Sequence, residues 1–155
     1  MTLEAKIQSD LITFMKAKDS VRTDALKMLR AAMIKERTKE GRVGGKDKPL
    51  EESEIIGLVR KEVKTRQDSI AEFEKAGRME LVEKERTEIT ALRGYLPVEM
   101  GDDELRALVA TVVAEFAPDR GKMIRETIAR AGGRIDGKRA SSAVAAALAP
   151  AGGGR

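Results

Sequence analysis

The chain has 155 residues, 30 Lys/Arg against 26 Asp/Glu, and neither Cys nor His. Without thiols or imidazoles it can form no disulfide, no Cys/His zinc site, no cysteine nucleophile and no triad that needs a histidine base. An enzyme built from it would depend on a carboxylate, a Lys or a Ser-Lys mechanism, or on Tyr95, the single tyrosine.

The core must be aliphatic, because there is no Trp, the only Phe residues are Phe14, Phe73 and Phe116, and seven Met act as adaptable filler. Such a core suits helices packed on helices. No apolar run approaches the roughly 18 residues of a membrane helix, and the opening MTLEAKIQSD lacks the basic-then-apolar layout of a secretory signal. The sequence therefore predicts a soluble, cytoplasmic protein that makes no membrane contact. Charge is unevenly spread: residues 1–50 hold twelve Lys/Arg against seven Asp/Glu, whereas residues 51–100 hold nine against twelve. The ends are basic and the middle is acidic.

Thr2 is placed to cap a first helix with Leu3, Ile7, Leu11, Phe14 and Met15 at helical spacing, ending near Lys18. Asp19 and Ser20 form a turn into a second helix, whose inner face is expected to hold Val21, Ala25, Leu29 and Ala32, with Met28 and Met33 beside it. Gly41–Pro49, GRVGGKDKP, has too much Gly and Pro for a helix and reads as a mobile basic loop. A long helix from about Glu51 to Ala76 then points Ile55, Ile56, Val59, Val63, Ile70 and Phe73 inward. It would span about 39 Å.

Gly77 can end that helix in a left-handed conformation. The next helix carries Leu81, Glu85, Ile89, Leu92 and Leu96 on its expected inner stripe, and Pro97 stops it. The segment 66–97 thus reads as a charged helical hairpin with an acidic edge, which repels phosphate. A carboxylate on the apolar stripe needs a partner, and Arg66 or Arg78 is the expected one for Glu85. Beyond Pro97, Gly101 and Asp102 start a helix through Leu105, Val109, Val112 and Phe116; Asp119 opens a short helix closed by Gly132 and Gly133; Asp136 caps a last, Ala-rich helix. The fold class is all-α. Residues 1–97 form a larger N-terminal helical subdomain with a long hairpin, residues 98–149 a small three-helix subdomain, and residues 150–155 a Gly-rich disordered tail.

Three patterns invite a chemical reading. Glu80/Glu83 and Glu85/Glu88 have the i, i+3 spacing of carboxylate metal centres. Those centres want Glu-x-x-His, so no metal is expected, and intrahelical pairs such as Glu62–Arg66 and Glu80–Lys84 account for the carboxylates better. Ser141 and Ser142 after Lys138 superficially suggest a Ser-Lys amidase, but a small Ala-rich helix explains them, and no catalytic residue or cofactor is expected. Between Asp119 and Ala140, by contrast, seven cations face three carboxylates among four glycines. Glycine at a helix start beside cations makes a phosphate seat, with GRIDGK, Gly133 to Lys138, as its centre. Lys122, Arg125, Arg134, Lys138 and Arg139 are the expected RNA-binding residues. No aromatic residue interleaves with them, which favours backbone or shape recognition over base stacking.

The run R-x-D-S-I-x-x-F-x-x-A-G-R (Arg66, Asp68, Ser69, Ile70, Phe73, Ala76, Gly77, Arg78), E-x-x-E-I (Glu85, Glu88, Ile89), Y-L-P (Tyr95, Leu96, Pro97), Gly121 and G-R-x-D-G-K (Gly133, Arg134, Asp136, Gly137, Lys138) together resemble the GatB/YqeY family over about residues 3–149. Lys27 stands where that family usually has Arg, and Ile124 and Ile128 where it usually has Met. The resemblance implies an all-α protein in two subdomains, like the tail of the B subunit of the glutamine-dependent aminoacyl-tRNA amidotransferase. That tail helps to hold the tRNA body while other centres do the chemistry. It further implies Arg66, Arg78, Glu85, Tyr95 and Pro97 as architectural residues, and tRNA or a tRNA-containing complex as partner. A protein-interaction adaptor is the alternative. A carbon–nitrogen ligase with glutamine as amide donor is a family label, meaningful only within a complex, because no ATP site, glutaminase nucleophile or Mg²⁺ cluster is visible.

Overall fold

The computed structural model describes residues 1–149, and these are all-α, with seven helices and no strand among the described residues. The helices are α1 (Leu3–Lys16), α2 (Ser20–Arg37), α3 (Glu52–Lys75), α4 (Met79–Arg93), α5 (Asp102–Phe116), α6 (Arg120–Ala131) and α7 (Gly137–Leu148). The tail expected at residues 150–155 lies outside the described residues. None of the described helices is long and apolar enough to cross a membrane. The chain divides into two compact units, Met1–Leu96 and a second from Pro97 onward.

In the first unit the start signals read from sequence are in place. Thr2 accepts from the Ala5 amide and Asp19 from the Arg22 amide, so each fills a donor that the first helical turn leaves open. α1 closes with Lys18 in the left-handed region at φ 58°, where the amide of Asp19 reaches back to the carbonyl of Phe14 at 3.0 Å. α3 closes the same way, with Gly77 at φ 69° and the Arg78 amide on the Phe73 carbonyl at 2.9 Å. The difference is that glycine takes that conformation without steric cost and lysine does not.

The inner face of α2 holds the expected Ala25 and Leu29 and also takes in Leu26. Leu26, Leu29 and Met33 are buried, Val21 and Ala32 only partly so, and Met28 and Met15 are exposed. Together with Ile7, Leu11, Ile55, Val59, Val63, Ile89 and Leu92 they enclose one aliphatic core. Tyr95 sits at its edge, donating from its hydroxyl to Asp10 of α1 at 2.6 Å beneath the Lys6 ammonium. Burial and that neighbouring carboxylate push the phenol well above its ordinary range. α4 ends at Arg93, so the stop falls before Pro97, and Leu96 lies in the turns that follow.

The hairpin differs from expectation at its charged centre. Glu88, not Glu85, is buried, and its Oε2 accepts from Arg66 Nε at 3.1 Å, with both side chains 4% exposed. Arg66 also binds Glu62 at 2.7 Å, as its i, i+4 spacing predicts, while Lys84 turns to Glu88 and Arg78 pairs with Glu80 at the surface. Glu85 is only half-buried, and burial and the nearby Glu88 raise its carboxyl above the usual range. The inner stripe of α4 is therefore Val82, Glu88, Ile89 and Leu92.

The segment before α3 is organised rather than loose. The Arg42 side chain, 7% exposed, donates to the carbonyls of Gly45, Lys48 and Pro49 and to Glu54 on α3. Glu54 in turn accepts from the Glu51 amide at 2.7 Å, so one carboxylate caps the helix and anchors the loop. The loop expected to be mobile is wound around a guanidinium.

Two predictions follow from these charges. Glu88→Ala strips a buried cation of its main partner and should cost about 3–5 kcal/mol, whereas Glu85→Ala should change stability by less than about 0.5 kcal/mol; urea unfolding measures both, and equal losses would contradict the assignment. The Arg42 guanidinium holds Glu54 below its ordinary value of 4.5, so the folded state binds a proton there less readily than the unfolded chain does. The stabilisation is complete above 4.5 and fades as pH falls through the lower folded value. In an NMR titration the Arg42 Nε–H should stay protected at neutral pH and lose protection only on the acid side of 4.5.

Candidate nucleic-acid interface

The second unit is built from three short helices, of which α6 and α7 start on acidic caps and α5 starts at Gly101 with no side-chain cap. Asp119 accepts from the Lys122 amide and Asp136 from the Arg139 amide, so at the starts of α6 and α7 a carboxylate of the chain already sits where a phosphate would be seated. α6 ends at Gly132 in the left-handed conformation, φ 60°, and the turn leads directly into α7. Met100, Leu105, Val109, Val112, Met123, Ile135, Ala140 and Val144 form the core. On α7 only Ala140 and Val144 are buried, and Ala146 and Ala147 line a groove against α5 of about 590 Å³. Small residues here leave a furrow rather than close one.

The five cations expected to bind RNA divide into two groups. Arg134 clamps Glu104 with two parallel bonds of 2.6 and 2.9 Å and donates its Nε to the carbonyl of Val98. Arg139 donates to the carbonyl of Met100 and to Asp102 at 2.8 Å. Both fasten the strand-like approach to α5 onto the α6–α7 turn, where the Met100 amide also reaches the Arg134 carbonyl at 3.0 Å. The guanidinium holds the Glu104 carboxyl below its ordinary range, and the same bond raises Arg134. Both arginines hold contacts within the unit.

Lys122, Arg125 and Lys138 remain exposed and carry no ion pair among the described residues. Lys122 and Arg125 lie in the first half of α6, and Lys138 is the second residue of α7. The Lys122 ammonium lies 5.0 Å from the centre of the Phe116 ring, and Arg130 stacks on the same ring while bonding Glu115 and Glu126. The sequence does not place Phe116 among these cations; it reads as core. At Gly121, an added Cβ would lie 3.3 Å from Arg125 Nη1, so the bare backbone gives that guanidinium room to fold back over the first turn.

Residues 97–149 hold eight Lys/Arg and eight Asp/Glu. The expected basic subdomain is therefore balanced overall, and its positive character is local. Carboxylates at the start of α5 are consumed by Arg106, Arg134 and Arg139, which leaves the uncompensated charge on α6 and at the start of α7. The exposed cations of α1 and α2, Lys16, Lys18, Lys27 and Arg30, add a second positive surface on the first unit.

The described residues form an all-α module of seven helices in two units, with an ion-paired hairpin in the first and exposed cations on the second. The family profile described as "Yqey-like protein" matches residues 4–148, and the chain belongs to that family. It is 34% identical over 115 residues to "Altered inheritance of mitochondria protein 41, mitochondrial" of Kluyveromyces lactis, covering 72% of this chain and 59% of that protein. The protein of the same name from Lachancea thermotolerans is 35% identical, covering 72% of this chain and 58% of that protein. The one from Pyrenophora tritici-repentis is 29% identical, covering 70% and 58%. The chain thus spans under two thirds of the length of these relatives. Their names overturn the cytoplasmic location expected above, because each is designated mitochondrial.

The two groups of cations should separate experimentally. Arg134→Ala removes a bidentate clamp and a main-chain contact and should lower the thermal unfolding temperature of the full chain, whereas Lys138→Ala should leave it unchanged. Equal effects would show that Arg134 is not the structural one.

Proposed function

We propose that this chain is a non-catalytic helical module that binds the backbone of folded RNA, tRNA or a tRNA-containing complex, through side-chain cations on α6 and at the start of α7. The observation that carries this reading is that Lys122, Arg125 and Lys138 stay exposed and without ion pairs among the described residues, while Arg106, Arg130, Arg134 and Arg139 are matched to carboxylates of the same unit. Cations left free in a charge-balanced unit attract anions without being needed for folding. With a carboxylate already capping the starts of α6 and α7, the contacts there come from side chains, which suits reading of phosphate position rather than of bases.

The exposed cations of α1 and α2 extend the same electrostatic attraction to the first unit. The mitochondrial designation of the relatives is compatible with a tRNA partner, since that compartment translates its own messages. Any ligase chemistry attached to the wider family would be supplied by other chains of a complex, with this module holding the RNA.

The test is the affinity for tRNA across a salt series. The unmutated chain should show a steep linear fall of log K with log salt, and Lys122→Ala, Arg125→Ala and Lys138→Ala should each flatten the slope by about one unit per phosphate contact removed. A flat slope in the unmutated chain overturns the proposal.

A further inference from the structure

The first unit carries a surface feature that the RNA reading does not use. α2 and α3 diverge to leave a groove of about 690 Å³ floored by Met28, Ala31, Ala32 and Leu58. Met28 is 54% exposed, although its sulfur lies 3.4 Å from Arg66 Nη2. Lys35, Lys39 and Lys61 stand around the groove, exposed and without ion pairs among the described residues. Of the two carboxylates there, Glu62 is bound by Arg66 at 2.7 Å, which leaves Glu36 as the one to oppose three ammonium groups.

Gly57 supplies an independent observation. It lies inside α3, one turn before Lys61, has no left-handed backbone, and a Cβ built on it would meet nothing within 4 Å. No contact within the chain requires glycine there, yet glycine in a helix interior costs about 1 kcal/mol relative to alanine. Bare helical backbone at an exposed edge permits close approach of another main chain.

We propose that this groove docks an acidic amphipathic helix from a protein partner. The apolar face of that helix lies on Met28, Ala31 and Leu58, its carboxylates meet Lys35, Lys39 and Lys61, and its main chain passes close to Gly57. Charge complementarity selects the occupant: three free ammonium groups around an apolar floor match a segment that is apolar on one side and acidic on its flanks. An RNA strand fits less well, because the floor offers no aromatic ring for a base and Glu36 faces any phosphate.

The probe is a labelled synthetic helical peptide with leucine at i, i+3, i+4 and i+7 and glutamate at the flanking positions, titrated with the full chain by fluorescence anisotropy. Saturable binding is expected, about tenfold weaker for Lys35→Glu combined with Lys61→Glu, and lost for Ala31→Arg, whose exposed position leaves the fold intact. A peptide with lysine in place of glutamate should not bind. Gly57→Gln should raise the thermal unfolding temperature of the free chain and weaken the peptide, which separates lost docking from lost folding. The proposal is overturned by absence of saturable binding, or by binding indifferent to these substitutions. It is equally overturned if the Lys35→Glu, Lys61→Glu chain loses tRNA affinity while the peptide never binds, an outcome that assigns the groove to RNA. Failure of the salt series at Lys122, Arg125 and Lys138 leaves this test untouched, because the residues are different.

Discussion

The guanidinium of Arg66 is the point at which three helices of the first unit meet. Its Nε bonds Glu88 of α4, its Nη1 bonds Glu62 one turn earlier on α3, and its Nη2 faces the sulfur of Met28 on α2. Taking such a charge out of water is costly, and attraction to a single carboxylate does not reliably offset it. Here the cost is met by geometry: two carboxylates and the Glu62 carbonyl use the donors of one planar fork. The register of the hairpin depends on this arrangement. With Glu88 facing Arg66, Ile89 and Leu92 enter the core beside it; turning Glu85 inward instead would leave a buried cation without its main partner.

The second unit solves the corresponding problem at the surface. Its ion pairs are exposed and individually weak in water, so what they supply is chiefly position, with stability where main-chain contacts are added. Arg134 and Arg139 do this by adding main-chain carbonyls to their carboxylate partners, which ties the approach to α5 to the α6–α7 turn. Because those pairs consume the acidic start of α5, the cations that remain on α6 and at Lys138 meet no internal competitor. The exposed positive charge of this unit is thus a remainder set by folding contacts, and overall composition, which is balanced, does not reveal it.

Much of this was legible because it is local. Thr2, Asp19, Asp119 and Asp136 act as caps where a side-chain oxygen precedes a helical stretch, and Gly77 and Gly132 end helices in the left-handed conformation, since caps and stops depend on residues three or four apart. The resemblance of the hairpin and GRIDGK runs to a known family agreed with the family match. What sequence missed depends on tertiary partners. Glu85 and Glu88 each lie four residues before an apolar position, Ile89 and Leu92, so local pattern does not choose between them and the position of Arg66 does. The loop at Gly41–Pro49 looked loose because nothing in its composition says that Arg42 will turn inward and bind three carbonyls. Arg134 and Arg139 looked like free cations because their partners, Glu104 and Asp102, lie 30 and 37 residues away.

α2 connects these themes, since one of its faces closes the core through Leu26 and Leu29 while the other is left to solvent with Met28, Ala31 and Lys35. A long, partly apolar outer face beside a helical glycine is not what stability alone would select: alanine at residue 57 fits the space and favours the helix. Places where local preference and observed sequence disagree, while the fold around them is well determined, are where an external constraint is to be sought. Met28 sharpens the argument, because the same side chain reaches inward to the guanidinium that fixes the hairpin and outward to the open groove. A partner seated on Met28 would therefore press on the contact that holds α2, α3 and α4 in register, so that occupation of the groove and rigidity of the hairpin are physically linked.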